Sequence, residues 1–238
     1  MVKEIKEIDI EGMETLNVIE KADRFNEWMY DTIAPHCKGN ILEIGSGIGN
    51  ISQFFIRDQN DIVLSDLRDN YCEILRKKFT NQVVKIDLVS PDFDTRYSDL
   101  VGTFDTVFAL NVVEHIENDI DAIANCKKLL KCGGTLIILV PAYQWLFNNF
   151  DVELEHYRRY TLKSLKNIIL KNQLKPKKLF AFNFIGIIGW FVSGNILKKK
   201  TIPATQMGLF NLLVSIFKLV DFILCRKIGL SAICISTK

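Results

Sequence analysis

The chain has 238 residues, is 48% hydrophobic and carries a formal net charge of +2, which gives material for one well-buried core and too little for two full domains. Its six cysteines, at 37, 72, 126, 132, 225 and 234, include no C-x-x-C pair, which speaks against a zinc ribbon or a disulfide framework and for a reducing, cytoplasmic setting. The small net charge hides a division: residues 1–155 carry 15 basic and 27 acidic side chains, residues 156–238 carry 15 basic ones and a single acid, Asp221.

Met1 to Glu11 alternates charged and apolar residues and lacks the apolar core of a signal peptide. Apolar positions Val18, Ala22, Phe25, Met29 and Ile33 predict a helix over 14–34, closed by Pro35. A buried strand, Ile41–Ile44, breaks into Gly45, Gly47 and Gly49 before an apolar helix start at Ile51. A second strand, 61–65, ends on Asp66; a helix follows over 68–79, then a third strand, 83–86, ending on Asp87. A loop rich in Asp and Ser, 90–103, leads to strand 104–110, a turn at 111–117 and a helix of about 118–131. Lys131-Cys-Gly-Gly134 reads as the stop, and 135–140 as strand five, ended by Pro141. Thr161 is placed to cap a helix over 162–171, and strands six and seven are expected at 178–182 and 231–236. This alternation predicts an α/β fold: a Rossmann-like, seven-stranded, mostly parallel sheet with helices on both faces.

The glycines allow positive φ and close approach of the backbone to a ligand. A dinucleotide fingerprint would place its third glycine at position 50, which holds Asn50. Glu43, at the mouth of the first strand, would repel a pyrophosphate but suits a ligand that presents an ammonium group. Asp66, 21 positions beyond Gly45, is placed to accept from ribose hydroxyls, a feature that fits a nicotinamide cofactor equally well. Asp87 breaks the tie, since a carboxylate there can accept from the exocyclic amine of adenine. Ligands of open α/β sheets bind beyond the carboxyl ends of the strands, where all three acids stand.

In the E-x-G-x-G-x-G loop, the Asp66 strand end, Asp87-Leu88, the run Phe104 to His115 and the Leu-Leu-Lys-x-Gly-Gly turn, the chain resembles class I S-adenosylmethionine-dependent methyltransferases. Cys132 departs from the usual proline of that turn. A narrower resemblance, through Val140-Pro-Ala, Asp151, His156-Tyr-Arg-Arg-Tyr-Thr161 and Gly229-Leu-Ser231, is to a bacterial and archaeal subgroup often linked with glycosyltransferases. The resemblance implies S-adenosylmethionine as the methyl donor, S-adenosylhomocysteine as the product, and no metal. It implies that Glu43, Gly45 and Asp66, with Ser46, Gly47 and Leu67 beside them, hold the amino acid and ribose. Asp87 and Leu88 would hold the adenine, and Asn111 would lie near the sulfonium. The layout expected is one methyltransferase domain: a helical cap (1–38), a cofactor-binding core (39–182), a hydrophobic helical insert (183–230) and a last strand (231–238).

If the acceptor is a hydroxyl, its proton must be removed. His156 is preferred as the base because it follows the strand-five loop with Asp151 near enough to orient it. His115 is the other candidate, with a helix-start role as its alternative. Arg158 and Arg159, beside Tyr160, offer guanidinium forks for an anionic acceptor, or partners for the acidic N-terminal half. Within the insert, 15 residues remain for the first apolar piece after strand six, roughly 22 Å of helix and too short for a span. Met207–Cys225 is apolar nearly all round. The two pieces read as helices packed on the sheet edge or on another subunit, as a cap over the acceptor, or as an in-plane membrane contact flanked by Lys198-Lys-Lys200. The expected function is therefore O-methylation of a small, glycan-type or lipid-linked anionic acceptor, in the cytoplasm or at the inner face of the membrane. N-methylation of a small metabolite and a non-catalytic scaffold in glycan assembly are the alternatives. A nucleic-acid partner is disfavoured, because the basic half has no basic–aromatic recognition module.

Overall fold

The computed structural model describes residues 10–238, so the reading of the first nine residues lies outside the described part. In chain order the elements are α1 (Ile10–Glu20), α2 (Asp23–Ile33), β1 (Ile41–Ile44), α3 (Ser52–Arg57), β2 (Ile62–Asp66), α4 (Asp69–Lys78) and β3 (Val83–Lys85). Then come α5 (Phe93–Arg96), β4 (Phe104–Leu110), α6 (Asp119–Leu129), β5 (Leu130–Pro141), α7 (Asn149–Glu153) and α8 (Leu162–Lys171). The chain ends with β6 (Lys175–Phe182), α9 (Phe184–Trp190), a π-helical turn (Phe191–Ile196), α10 (Ala204–Ile223) and β7 (Ser231–Thr237).

The seven strands form one sheet in the order β3-β2-β1-β4-β5-β7-β6. All neighbours pair parallel except β7, which runs antiparallel between β5 and β6. β1 and β2 are buried along their whole length, as expected of strands covered on both faces, with Glu43, Ser65 and Asp66 the polar residues among them. Alternate side chains separate into two cores. Leu42, Val107 and Ile138 pack with Ile123, Leu129, Leu165 and Ile169 from α6 and α8. Ile41, Phe108 and Ile137 pack on the other face with Trp28, Ile33, Phe55, Leu75 and Val214.

Where the elements differ from the sequence reading, a local cause is visible. The helix expected over 14–34 is two helices, because the Asn26 side chain donates to the Ile19 carbonyl (2.8 Å) and lets the chain turn at Lys21–Ala22. α2 then packs on the sheet while α1 crosses the glycine loop. The Lys131–Gly134 turn is an exposed bulge inside β5, which already pairs with Phe104 at Leu130. β6 starts earlier than expected, since an edge strand tolerates Pro176 and shifts register there.

The insert leaves and rejoins the sheet at one point. Asp221 of α10 accepts from the backbone N–H groups of Asn183 (2.6 Å) and Phe184 (2.8 Å). The Leu230 N–H donates to the Asn183 carbonyl (2.9 Å). A Cβ at Gly229 would lie 2.3 Å from the Phe182 carbonyl oxygen, so this crossing requires glycine. α10 lies along α2 through Arg24, Asn211 and the Lys218–Asp31 pair, and through the Phe25, Phe210 and Phe217 rings.

Candidate active site

The carboxyl ends of β1, β2, β4 and β5 open into a cavity of about 720 Å³. At one end the Gly45–Gly49 loop turns back over β1. Gly45 has φ +70, and a Cβ there would lie 2.4 Å from Val112 Cγ2, so a larger residue would both strain the loop and close the site. Glu43 is buried below the loop, where Ser52 Oγ donates to its carboxylate. Burial raises its pKa to about 7, with Asp66 adding to the rise. Asp66 Oδ2 accepts from the Gly47 N–H and Oδ1 from the Arg68 N–H (3.0 and 3.1 Å). A buried carboxylate so poor in cationic partners suits an ammonium, and the loop–Asp66 clasp suits a ribose. The residues thus fit S-adenosylmethionine.

Across the cavity, the acidic and basic groups that follow β4 and β5 converge. His156 Nδ1 bonds Asp151 Oδ1 at 2.8 Å, and Arg159 Nε donates to that same oxygen at 2.8 Å. Asp151 Oδ2 meanwhile accepts from the Asn148 N–H and caps α7. Burial works against the Asp151 charge, yet the His156 and Arg159 bonds hold its carboxyl below the usual range. His115 faces the cavity with its ring 4.5 Å from that of His156, nearly perpendicular. Desolvation within the concavity, with His156 and Arg68 beside it, lowers its pKa to about 3, so the ring is neutral at pH 7. Glu114 is fully buried, neither carboxylate oxygen has a hydrogen-bond partner among the described residues, and burial raises its pKa to about 8.

The cavity brings together Glu43, Gly45, Ser46, Gly47, Asp66, Leu67, Asp87, Leu88, Asn111, His115, His156 and Arg159 from the sequence reading. Asn111 takes φ +54 at the end of β4. Arg158 and Tyr160 do not line it: both reach Asp119, at 3.0 and 2.8 Å, and Arg158 also caps the Glu117 carbonyl. They hold the start of α6 to the β5 loop. Arg159 bonds Asp151 and the Ala142 carbonyl and stacks on Trp190, with Nη2 left without a hydrogen-bond partner among the described residues.

The sequence reading expected a helical cap at the N-terminus and offered the insert as a cap over the acceptor, but it singled out none of the residues that three contributors bring to the wall. From α1, Gly12, Thr15 and Leu16 cover the glycine loop, tied down where Asn50 Nδ2 donates to the Leu16 carbonyl (3.0 Å). From the insert, Trp190, Gln206, Met207 and Phe210 close the acceptor side. Periodicity marks these only as apolar helix faces. Glu114 could have been found, as an ionisable residue directly after an apolar strand and turn.

Residues 42–136 match a family profile described as a methyltransferase domain. Over 115 residues the chain is 26% identical to ubiquinone biosynthesis O-methyltransferase of Erwinia tasmaniensis, covering 47% of each sequence; it thus spans about half the length of the curated relatives it matches. A SAM-dependent methyltransferase from Archaeoglobus fulgidus superposes with a TM-score of 0.59 at 17% identity, over 90% of this chain and 94% of that one. A Thermotoga maritima SAM-dependent methyltransferase, described as a possible histamine N-methyltransferase, superposes with a TM-score of 0.61 at 15% identity, over 95% and 97%. The profile match runs from β1 into β5 and falls on this strand order and glycine loop, so residues 42–136 resemble a methyltransferase domain, and the chain shares the fold of the SAM-dependent methyltransferases it superposes on.

Proposed function

We propose that the chain methylates an oxygen of a small or glycan-type acceptor that bears negative charge and is presented at a membrane surface. The observation that carries this reading is His156: held by Asp151, it lines the same cavity as Glu43 and Asp66. When bound, S-adenosylmethionine supplies an electrophilic methyl group on a sulfonium. Glu43 would face its ammonium, Asp66 its ribose hydroxyls, and Asp87 with Leu88 its adenine. Asp151 accepts the Nδ1 proton of His156 and leaves Nε2 free to take the proton of an acceptor hydroxyl. The unpartnered Arg159 Nη2 offers a buried donor to an anionic group on the acceptor. The nearness to a relative named as an O-methyltransferase favours oxygen over nitrogen.

The membrane part of the reading is supported by the outer face of the insert. Leu209, Leu212, Ile216, Leu219 and Phe222 of α10 point away from the protein, Phe222 with 76% of its surface exposed. By length and composition α10 is the one described helix apolar enough to cross a membrane, but its inner side packs on α2 and lines the cavity. Such a helix lies naturally in the plane of a bilayer. Lys198, Lys199 and Lys200 precede it, in the basic half of the chain, which complements anionic lipid.

The reading is tested by incubating the protein with methyl-labelled donor and a panel of lipid-linked and nucleotide-linked sugars. Label on an acceptor oxygen, lost in His156→Ala, is the expected result. Turnover of the true acceptor at wild-type rate by His156→Ala would remove the base assignment. Absence of donor binding by calorimetry would remove the methyltransferase reading as a whole.

A further inference from the structure

We propose that Glu114, His115 and His156 form a binding site for one divalent metal ion of the first transition row. Each residue offers one ligand atom, and the three atoms lie within 4.8 Å of one another. Metal–ligand bonds of about 2.0–2.2 Å bridge ligands up to roughly 4.3 Å apart, so side-chain shifts of a few tenths of an ångström close the site. Two imidazoles and a carboxylate leave the remaining coordination positions open to water or an acceptor.

Three features beyond proximity point to an ion. Both Glu114 oxygens are buried with no protein partner among the described residues, an arrangement costly unless something else satisfies them. His156 is turned by Asp151, which bonds Nδ1 at 2.8 Å and leaves Nε2 toward the cavity. His115 presents its ring to the same cavity, nearly perpendicular to that of His156. Holding one imidazole nitrogen from behind, as Asp151 holds that of His156, is how proteins fix the tautomer and orientation of a metal-ligating histidine. The surrounding charges are Arg159, already paired with Asp151, and Arg68 on the His115 side. Such a site would differ from the metal-free one that the resemblance implies.

The role of the ion rests on the reading of methyl transfer to oxygen; its binding does not. An acceptor hydroxyl entering the open position would be acidified. Its proton leaves to solvent, the O–CH₃ bond forms and the S–CH₃ bond breaks, with the electron pair staying on sulfur. His156 then serves as a ligand, and turnover depends on added metal.

The test uses the full chain, freed of metal by chelation and titrated with Mn²⁺ while the electron paramagnetic resonance signal of the free ion is followed. One Mn²⁺ per chain is expected. Glu114→Gln should weaken binding at least about tenfold, and Asp151→Asn by about 10–100-fold. Glu114→Gln keeps the size and shape of the side chain, and unchanged donor binding by calorimetry verifies that the fold is retained. Equal Mn²⁺ binding by wild type and Glu114→Gln would overturn the site. So would no binding by wild type, which would leave Glu114 compensated by Arg159 alone. Mn²⁺ binding without methylation of any oxygen acceptor would sink the proposed function and leave the metal site standing.

Discussion

At the tips of β1 and β2 the cavity wall is backbone and short side chains: a glycine loop, a buried glutamate and an aspartate that accepts from the N–H groups of Gly47, in that loop, and Arg68. Across the cavity the wall is assembled from residues far apart in sequence. Glu114 and His115 follow β4, Asp151, His156 and Arg159 follow β5, and Trp190 and Met207 come from the insert. The first wall is built to recognise one fixed molecule through local geometry. The second depends on long-range packing, so it can change with the acceptor while the first stays as it is.

Substitutions on the two sides should therefore separate cleanly. The largest effect is expected from His156→Ala, a fall in kcat of about 10²–10⁴-fold with donor affinity held, read by steady-state kinetics and calorimetry together. Asp66→Ala should do the reverse, weakening donor binding by about a hundredfold; a loss of kcat alone would merge the two walls. Asp221→Ala strands the buried N–H groups of Asn183 and Phe184 and should cost about 2–4 kcal/mol in urea denaturation, with acceptor turnover suffering more than donor binding.

In chelator, Glu114 gives a pH signature. Its folded pKa of about 8 lies above the ordinary value of 4.5, so between these the folded chain keeps a proton that the unfolded chain has released. Stability then falls as pH rises through that window, and Glu43, at about 7, adds to the fall. Glu114→Gln should flatten the decline of Tm between pH 5 and 8.5. The smallest effect on the fold is expected from Leu212→Glu on the exposed face of α10, within about 0.5 kcal/mol of wild type. Yet it should lower flotation with anionic liposomes, and no flotation of wild type at low salt would exclude the membrane surface.

The donor wall was legible in the sequence because its determinants are local. Glu43, Gly45, Asp66 and Asp87 sit at strand ends that alternating hydrophobicity marks, and each reads as chemistry from its position alone. The acceptor wall was legible only in pieces. Asp151 and His156 are five positions apart, and the structure joins them by a hydrogen bond. The pairing of Tyr160 and Arg158 with Asp119, 41 and 39 positions away, has no local signal. Nor does the placing of α1 over the loop, which the Asn26–Ile19 and Asn50–Leu16 side-chain bonds hold. Glu114 stood in plain sight within the run Asn-Val-Val-Glu-His, but only its missing partners give it meaning.

The bonds from Asp221 to the start of α9, and the crossing at Gly229, tie a narrow neck through which the insert hangs from the sheet. What lies beyond that neck can lengthen, shorten or be exchanged as a cassette without disturbing the register of β6 on β7. Evolution could thus re-tailor the greasy side of the enzyme for a new acceptor, and a grafted cassette from a related chain should carry its acceptor preference with it.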